Sequence, residues 1–219
     1  MNQLLRATAI AAALCATAVA QAAPISSEAD PSLVGGTLVD FESGPTGNWV
    51  TQSFGALTVT ATPGADTAAP TFSVDGDYAG QYNTRDRLHI TNHGSEFQAL
   101  RLDFGGPVSA FGFLFGASDS SWNLNAYSAG NVLLESQVIP PVFGSNAGDF
   151  FGFAGLAGAS YATLTQNADG IYANGGVDYV FVDNVRTSAV AAIPEPETYA
   201  LMIAGLGIVG AMARRRRAV

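Results

Sequence analysis

Few residue sets in this chain have the type and spacing to do chemistry. Near the C-terminus, GLGIVG sets Gly205, Gly207 and Gly210 in the G-x-G-x-x-G pattern that cradles a dinucleotide pyrophosphate. That chemistry needs a buried strand before the glycines, a helix after them and an acidic residue about 20 positions on. The nine residues after Gly210 are mostly Arg and Ala, so the glycines are expected to bind no nucleotide. In HITNH, His89 and His93 stand four apart, the spacing with which one helix face shares a metal ion. The glutamate of H-E-x-x-H is missing, and the segment reads as a strand entering an Asn-His-Gly turn. Both are expected to be ordinary surface or turn histidines. In VDGDY, Asp75 and Asp77 are the nearest thing to the paired carboxylates of glycoside hydrolysis, although a D-G-D stretch is foremost a turn.

Other chemistries lack their residues. No G-x-S-x-G elbow occurs. Lysine is absent, which removes Schiff-base and P-loop chemistry. Cys15 is the only cysteine and lies in the N-terminal apolar run, so a processed chain would have neither disulfide nor thiol nucleophile. The expectation is a protein that is not an enzyme. Trp49, Tyr78, Tyr82 and Tyr127 remain as possible members of a sugar-stacking platform.

Charge narrows the partners. Between Ala23 and Ile193 four arginines face sixteen carboxylates, a net charge of −12. Such a domain repels nucleic acid and anionic membrane surfaces, so no nucleic-acid partner is expected.

The elements that must position these residues read as strands. Short alternating runs are separated by Gly, Pro, Asn and Asp: 37–42, 56–62, 87–91 and 100–104 come first. In ALRLDFGG, Leu100, Leu102 and Phe104 point one way while Arg101 and Asp103 point the other. Gly105-Gly106-Pro107 is read as a turn, after which Phe111, Phe113 and Phe115 share a face. WNLNAYSAGNVLLESQVI reads as a hairpin from Trp122 to Ile139. Further runs lie in 149–158, 160–166 and 177–187, giving about nine or ten strands with no sustained helical period. The fold class expected is all-β, an antiparallel β-sandwich of jelly-roll type over residues 37–188. Residues 23–36 and 189–193 are read as linkers.

The two ends carry addresses rather than chemistry. Residues 1–22 have a positive n-region at Arg6, an apolar stretch from Ala7 to Ala20 and small-x-small cleavage sites. They form a secretory signal helix, with cleavage expected after Ala22. Tyr199 to Ala213 is an apolar run of fifteen residues, about 22 Å as a helix and short for a ~30 Å hydrocarbon core. Arg214, Arg215, Arg216 and Arg217 would hold its end on the cytoplasmic side, leaving the acidic domain outside. Two prolines around Glu195 keep the backbone extended and delay the helix.

Pro194-Glu195-Pro196, then a glycine-containing apolar helix, then an arginine cluster, resembles the PEP-CTERM protein-sorting domain over residues 194–217. The resemblance implies export across the inner membrane of a Gram-negative bacterium that makes extracellular polysaccharide. The secretion translocon and signal peptidase would act first. It further implies transient anchoring, recognition of Pro194-Glu195-Pro196 by an exosortase-type membrane enzyme, and release to the cell surface or extracellular matrix.

A second resemblance is more local. VDFESGPTGNW (39–49) and DYVFVDNV (178–185) are similar to the opening and closing strands of jelly-roll carbohydrate-binding modules. It implies a structural Ca²⁺ held by Glu42 and Asp183, hard oxygen ligands that would tie a cysteine-free sandwich together. The expected role is structural or polysaccharide-interacting. The alternatives are a Ca²⁺-stabilised carbohydrate-binding module and a small secreted polysaccharide hydrolase or lyase.

Overall fold

The computed structural model describes residues 22–63, 70–85, 87–92, 99–144 and 148–190. Thirteen strands occur there: β1 Ala23–Ile25, β2 Thr37–Val39, β3 Gly47–Trp49, β4 Thr51–Phe54, β5 Leu57–Thr62, β6 Phe72–Asp75, β7 His89–Thr91, β8 Ala99–Gly116, β9 Trp122–Tyr127, β10 Leu133–Ile139, β11 Phe150–Ala154, β12 Ala159–Gln166 and β13 Phe181–Ala189. All pairings are antiparallel. The only helical pieces among the described residues are two single 3-10 turns, Pro31–Leu33 and Gly170–Tyr172. The all-β antiparallel reading holds. The expected signal helix (1–22), apart from Ala22, and the C-terminal helix (199–213) lie outside the described residues, as do His93, Pro194-Glu195-Pro196 and Arg214–Arg217.

One strand builds both layers. The first half of β8 lies between β5 and β12, and β9 and β10 continue that layer while β4 edges it. The second half lies between β11 and β13, which extend to β1 on one side and to β2, β7, β6 and β3 on the other. We call these sheet I and sheet II. The bend falls at Gly105-Gly106-Pro107, which is exposed and stays in strand conformation. The expected turn is thus a corner inside one eighteen-residue strand. A side chain at Gly105 would place its Cβ 2.9 Å from the Ala56 carbonyl oxygen, so glycine lets β8 pass close to the β4–β5 hairpin.

Alternation fills the space between the sheets. Leu57, Val59 and Ala61 of β5, Leu100 and Leu102 of β8, and Trp122, Leu124 and Ala126 of β9 come from sheet I. Phe111, Phe113 and Phe115 of β8, Phe153 of β11 and Val182 of β13 meet them from sheet II.

The segment 23–36, read from sequence as a linker, is structural. β1 pairs with β11, and the 3-10 turn at Pro31–Leu33 lies against β8 and β13. Ile25 and Leu33 bury against Ala110, Leu114 and Phe150 on the outside of sheet II. Glu28 ties this strap down, with carboxylate oxygens 3.0 Å from Arg85 Nη2 and 3.5 Å from Arg186 Nη2. The turn itself is capped by Asp30, which accepts from the Ser32 N–H and hydroxyl.

Candidate functional site

The two sheets present different outsides. On sheet I the strand register sets the outward side chains in rows. One row runs Ser53, Thr58, Asp103, Tyr161, Tyr127 and Leu133 across six strands. The next runs Thr51, Thr60, Arg101, Thr163, Asn125 and Ser136. With neighbouring strands about 4.8 Å apart the rows extend over roughly 24 Å. Their hydroxyls and amides hold one another: Thr51 with Thr60 at 3.2 Å, Ser53 with Thr58 at 2.9 Å, and Ser136 donating to Asn125 Oδ1 at 2.6 Å.

At the centre Arg101 donates to Asp103 through Nε and Nη2, at 2.8 and 2.6 Å. Both side chains remain about a third exposed, 37% and 35%. The carboxylate raises the Arg101 pKa, against the opposing effect of burial. The guanidinium carbon also sits 3.6 Å from the centre of the Tyr161 ring. Tyr161 in turn stacks on Tyr127, with ring centroids 4.9 Å apart and planes 12° from parallel, and donates to Asn131 Oδ1 at 3.0 Å. These contacts fix a fork of N–H donors, a carboxylate and flanking amides on a rigid sheet. Asp103 is the sole carboxylate in the two rows, and Arg101 neutralises it. Such a surface can hydrogen-bond a neutral polyhydroxylated chain.

Sheet II is covered instead. Beside the strap, the loop from Asp77 to Arg85 closes over Phe181. Tyr82 stacks on Phe181 at 5.8 Å, with Tyr78, Tyr179 and His89 at 5.9, 5.1 and 4.8 Å. Tyr78, Tyr82 and Asn83 hold positive φ angles of 60°, 49° and 64°, unusual for residues other than glycine. The tight seat explains them. A Cβ on Gly116 would come 1.9 Å from the Tyr82 carbonyl oxygen, and Asn83 Nδ2 donates to the Phe115 carbonyl at 2.8 Å. Burial pushes the Tyr179 hydroxyl up to about 12.

The four aromatics expected to form one platform are split. Tyr78 and Tyr82 meet on sheet II, Tyr127 belongs to sheet I, and Trp49 packs on the core opposite Phe72. His89 is fully buried, which corrects the surface reading. It faces Asp75 across β6–β7, and burial lowers its pKa despite nearby carboxylates. Asp75 and Asp77 form the expected turn, with Asp75 Oδ1 accepting from the Asp77 N–H at 3.1 Å.

Glu42 and Asp183 do converge on one segment, but by gripping its backbone. Glu42 Oε1 accepts from the N–H groups of Arg87 (2.7 Å) and Leu88 (2.5 Å). Asp183 Oδ2 accepts from Arg85 N–H at 2.6 Å. A Ca²⁺ ion takes about six to eight oxygen ligands. Among the described residues no three His, Cys, Asp or Glu side chains converge as metal ligands, and N–H donors face these carboxylates. Among the described residues these two carboxylates are thus engaged by main-chain N–H groups.

Sequence reading had no signal for a further carboxylate, Asp178. It is buried and accepts from the N–H groups of Asp119 and Ser120, the Ser120 hydroxyl (2.7 Å) and Trp122 Nε1 (3.1 Å). It fastens the 117–121 loop to the core.

Comparison with known proteins assigns the C-terminus. Residues 192–217 match the profile of the PEP-CTERM protein-sorting motif. The chain carries that motif. A PEP-CTERM signal marks an exported protein sorted at the membrane of a Gram-negative bacterium, as the Pro-Glu-Pro, apolar and arginine order implies. No curated protein matches the chain in sequence. Among solved structures, a DUF4465 family protein from Bacteroides caccae shares 6% identity, covers 77% of this chain and 100% of its own, and has a TM-score of 0.39. A point mutant of a family 29 carbohydrate-binding module shares 10%, covering 80% and 99%, with a TM-score of 0.34. TmCBM61 in complex with β-1,4-galactotriose shares 9%, covering 69% and 95%, at 0.31. Superpositions this loose say nothing of a ligand for the present chain.

Proposed function

We propose that this protein is an exosortase substrate that displays a non-catalytic, polysaccharide-binding β-sandwich at the cell surface or in the extracellular matrix. The PEP-CTERM match carries the delivery part of the reading. The signal peptide is removed after Ala22, residues 199–213 lodge in the inner membrane, and Arg214–Arg217 stay in the cytoplasm. The exosortase then acts at Pro194-Glu195-Pro196. Replacing these three residues with alanine should leave the C-terminal segment attached. An unchanged mature mass in an exosortase-containing host would refute the sorting role.

The binding part rests on one observation, the neutral rows of hydroxyls and amides around Arg101 and Asp103 on a domain that otherwise bears many carboxylates. A neutral glycan can exchange its water hydrogen bonds for these side chains without bringing charge against charge. An anionic polymer would meet the −12 domain at a penalty. Affinity electrophoresis in gels containing neutral or acidic polysaccharides tests this. Retardation by neutral polymers is expected, and retardation only by acidic ones overturns the reading.

A further inference from the structure

The end of the sandwich at the β8 corner differs from the rest of the molecule in charge. Ala189 of β13 is registered with Val108, and the Val190 N–H donates to the Pro107 carbonyl, so the chain leaves for its sorting signal at this corner. Ala23 is registered with Ala154, and the Leu156 N–H donates to the Ser109 carbonyl, which brings the other end of the processed chain here as well. The segments gathered are 34–38, 54–57, 105–108, 128–133, 154–159 and 189–190. None contains an Asp, Glu, Arg or His, although the exported region carries sixteen carboxylates.

Apolar groups are concentrated there too. Of the ten large apolar side chains exposed among the described residues, five lie at this end: Val34, Leu38, Val132, Leu133 and Val190. A cleft of about 150 Å³ opens among Val39, Leu57, Phe104, Pro107 and Val108. A protein with this net charge would ordinarily keep its exposed ends charged.

We infer that this uncharged end is a membrane-facing surface, which rests against the outer leaflet of the bilayer holding the chain's own C-terminal apolar run. The inference rests on the reading of residues 199–213 as a membrane segment. Chain length favours lipid as the occupant. The nine residues from Ala191 to Tyr199 reach at most about 30 Å when extended, so the corner stays within that distance of the headgroups. Charge favours the same orientation. Anionic lipids repel the carboxylate-bearing sides over roughly 10 Å, while the gathered segments themselves carry no charged side chain, Asp40 beside Leu38 and Phe54 being a flanking carboxylate. Valine and leucine side chains at the surface can enter the interfacial layer. The sorting motif would then meet its membrane-bound enzyme from a domain already seated on the bilayer, with sheet I turned along or away from it.

The test uses the signal-processed chain with its C-terminus intact, added to vesicles of phosphatidylethanolamine and phosphatidylglycerol. Since the processed sequence has no cysteine, single labels can be placed cleanly by Val132→Cys, and by Ile171→Cys as an exposed control in the 170–172 turn. Fluorescence of the Val132 label should be quenched by lipid-borne spin labels several-fold more than that of the control. Val34→Asp with Leu38→Asp, both exposed and so compatible with folding, should remove the difference. Equal quenching at the two positions in vesicle-bound protein overturns this inference alone. Failure of the chain to float with the vesicles overturns it together with the membrane reading. A Val132 label shielded from aqueous iodide yet untouched by lipid quenchers would place another protein molecule on this end, and would also overturn it.

Discussion

The two outer faces of the sandwich are built from the same kind of strand and put to opposite use. On sheet II the outward residues Ala110, Leu114 and Phe150 are apolar and lie under a strap pinned by Glu28. On sheet I the outward residues are threonines, serines, Asn125, a tyrosine pair, one arginine–aspartate pair and Leu133, and all of them except Tyr161 are exposed or half-exposed. The difference teaches that coverage, rather than strand composition alone, separates a structural face from one free to bind. β8 runs through both sheets and shows the change within one strand: Arg101 and Asp103 look out before the corner, Ala110 and Leu114 after it.

The comparison breaks most sharply under a buried charge. Leu114→Asp puts a carboxylate beneath the strap at a position 1% exposed and should cost roughly 3–5 kcal/mol, a large share of an ordinary domain's stability. Thr60→Asp makes the same chemical change on sheet I and should cost within about 0.5 kcal/mol. Urea denaturation of the two variants measures the contrast, and similar midpoints would mean the faces do not differ as described.

Loss of the strap's anchor comes next. Leu33→Ala removes a side chain 4% exposed in the small outer core and should cost about 2–4 kcal/mol. If residues 23–36 were a mere linker, its effect would be near zero. Glu28→Gln should do less, about 1 kcal/mol, because one partner, Arg85, is 57% exposed and its pair is screened by solvent.

For sheet I the expected loss is in binding and not in stability. Arg101→Ala removes the donor fork and the cation on Tyr161. Retention on a neutral polysaccharide should fall about tenfold, equivalent to about 1.4 kcal/mol, with the urea midpoint almost unchanged. Asp103→Asn keeps the shape and should lose less.

Much of this architecture was legible in the sequence, and the exceptions have physical reasons. Period-two alternation gave most strands and the outward direction of Arg101 and Asp103, because one face of each strand must be apolar to fill the core. Gly105-Gly106-Pro107 reads as a turn in sequence since the same residues serve both purposes, and only the pairing of β8 with four other strands separates a turn from a corner. The strap has no sequence signal because its anchors, Ile25 and Leu33, follow neither strand nor helix periodicity, and Glu28 finds Arg186 only after the fold is complete. The resemblance implies that Glu42 and Asp183 share an ion, whereas in the structure both accept from main-chain N–H groups of residues 85–88. That they meet main-chain N–H groups was invisible, since no residue type reports where an N–H points. The sorting motif was fully legible because its recognition depends on local order along the chain and not on folding.

The most gradual effect concerns the titrating group hidden under the covered face. His89 is fully buried, with its ring edge-on to Phe181. Burial lowers its pKa below the ordinary 6.5, outweighing the attraction of Asp75, Asp77 and Glu42. Below about pH 6.5 the unfolded chain therefore takes up a proton that the folded chain refuses, and stability must fall with pH. The slope is at most about 1.4 kcal/mol per pH unit and ends once the folded state also protonates. His89→Phe removes the group while keeping an aromatic ring against Phe181. Thermal melts from pH 7 down to 5 should show the wild type losing stability relative to this variant, with their difference constant above pH 7. A wild type that gains on the variant as the solution is acidified would show that the histidine is charged in place, and that the loop over sheet II admits water to it.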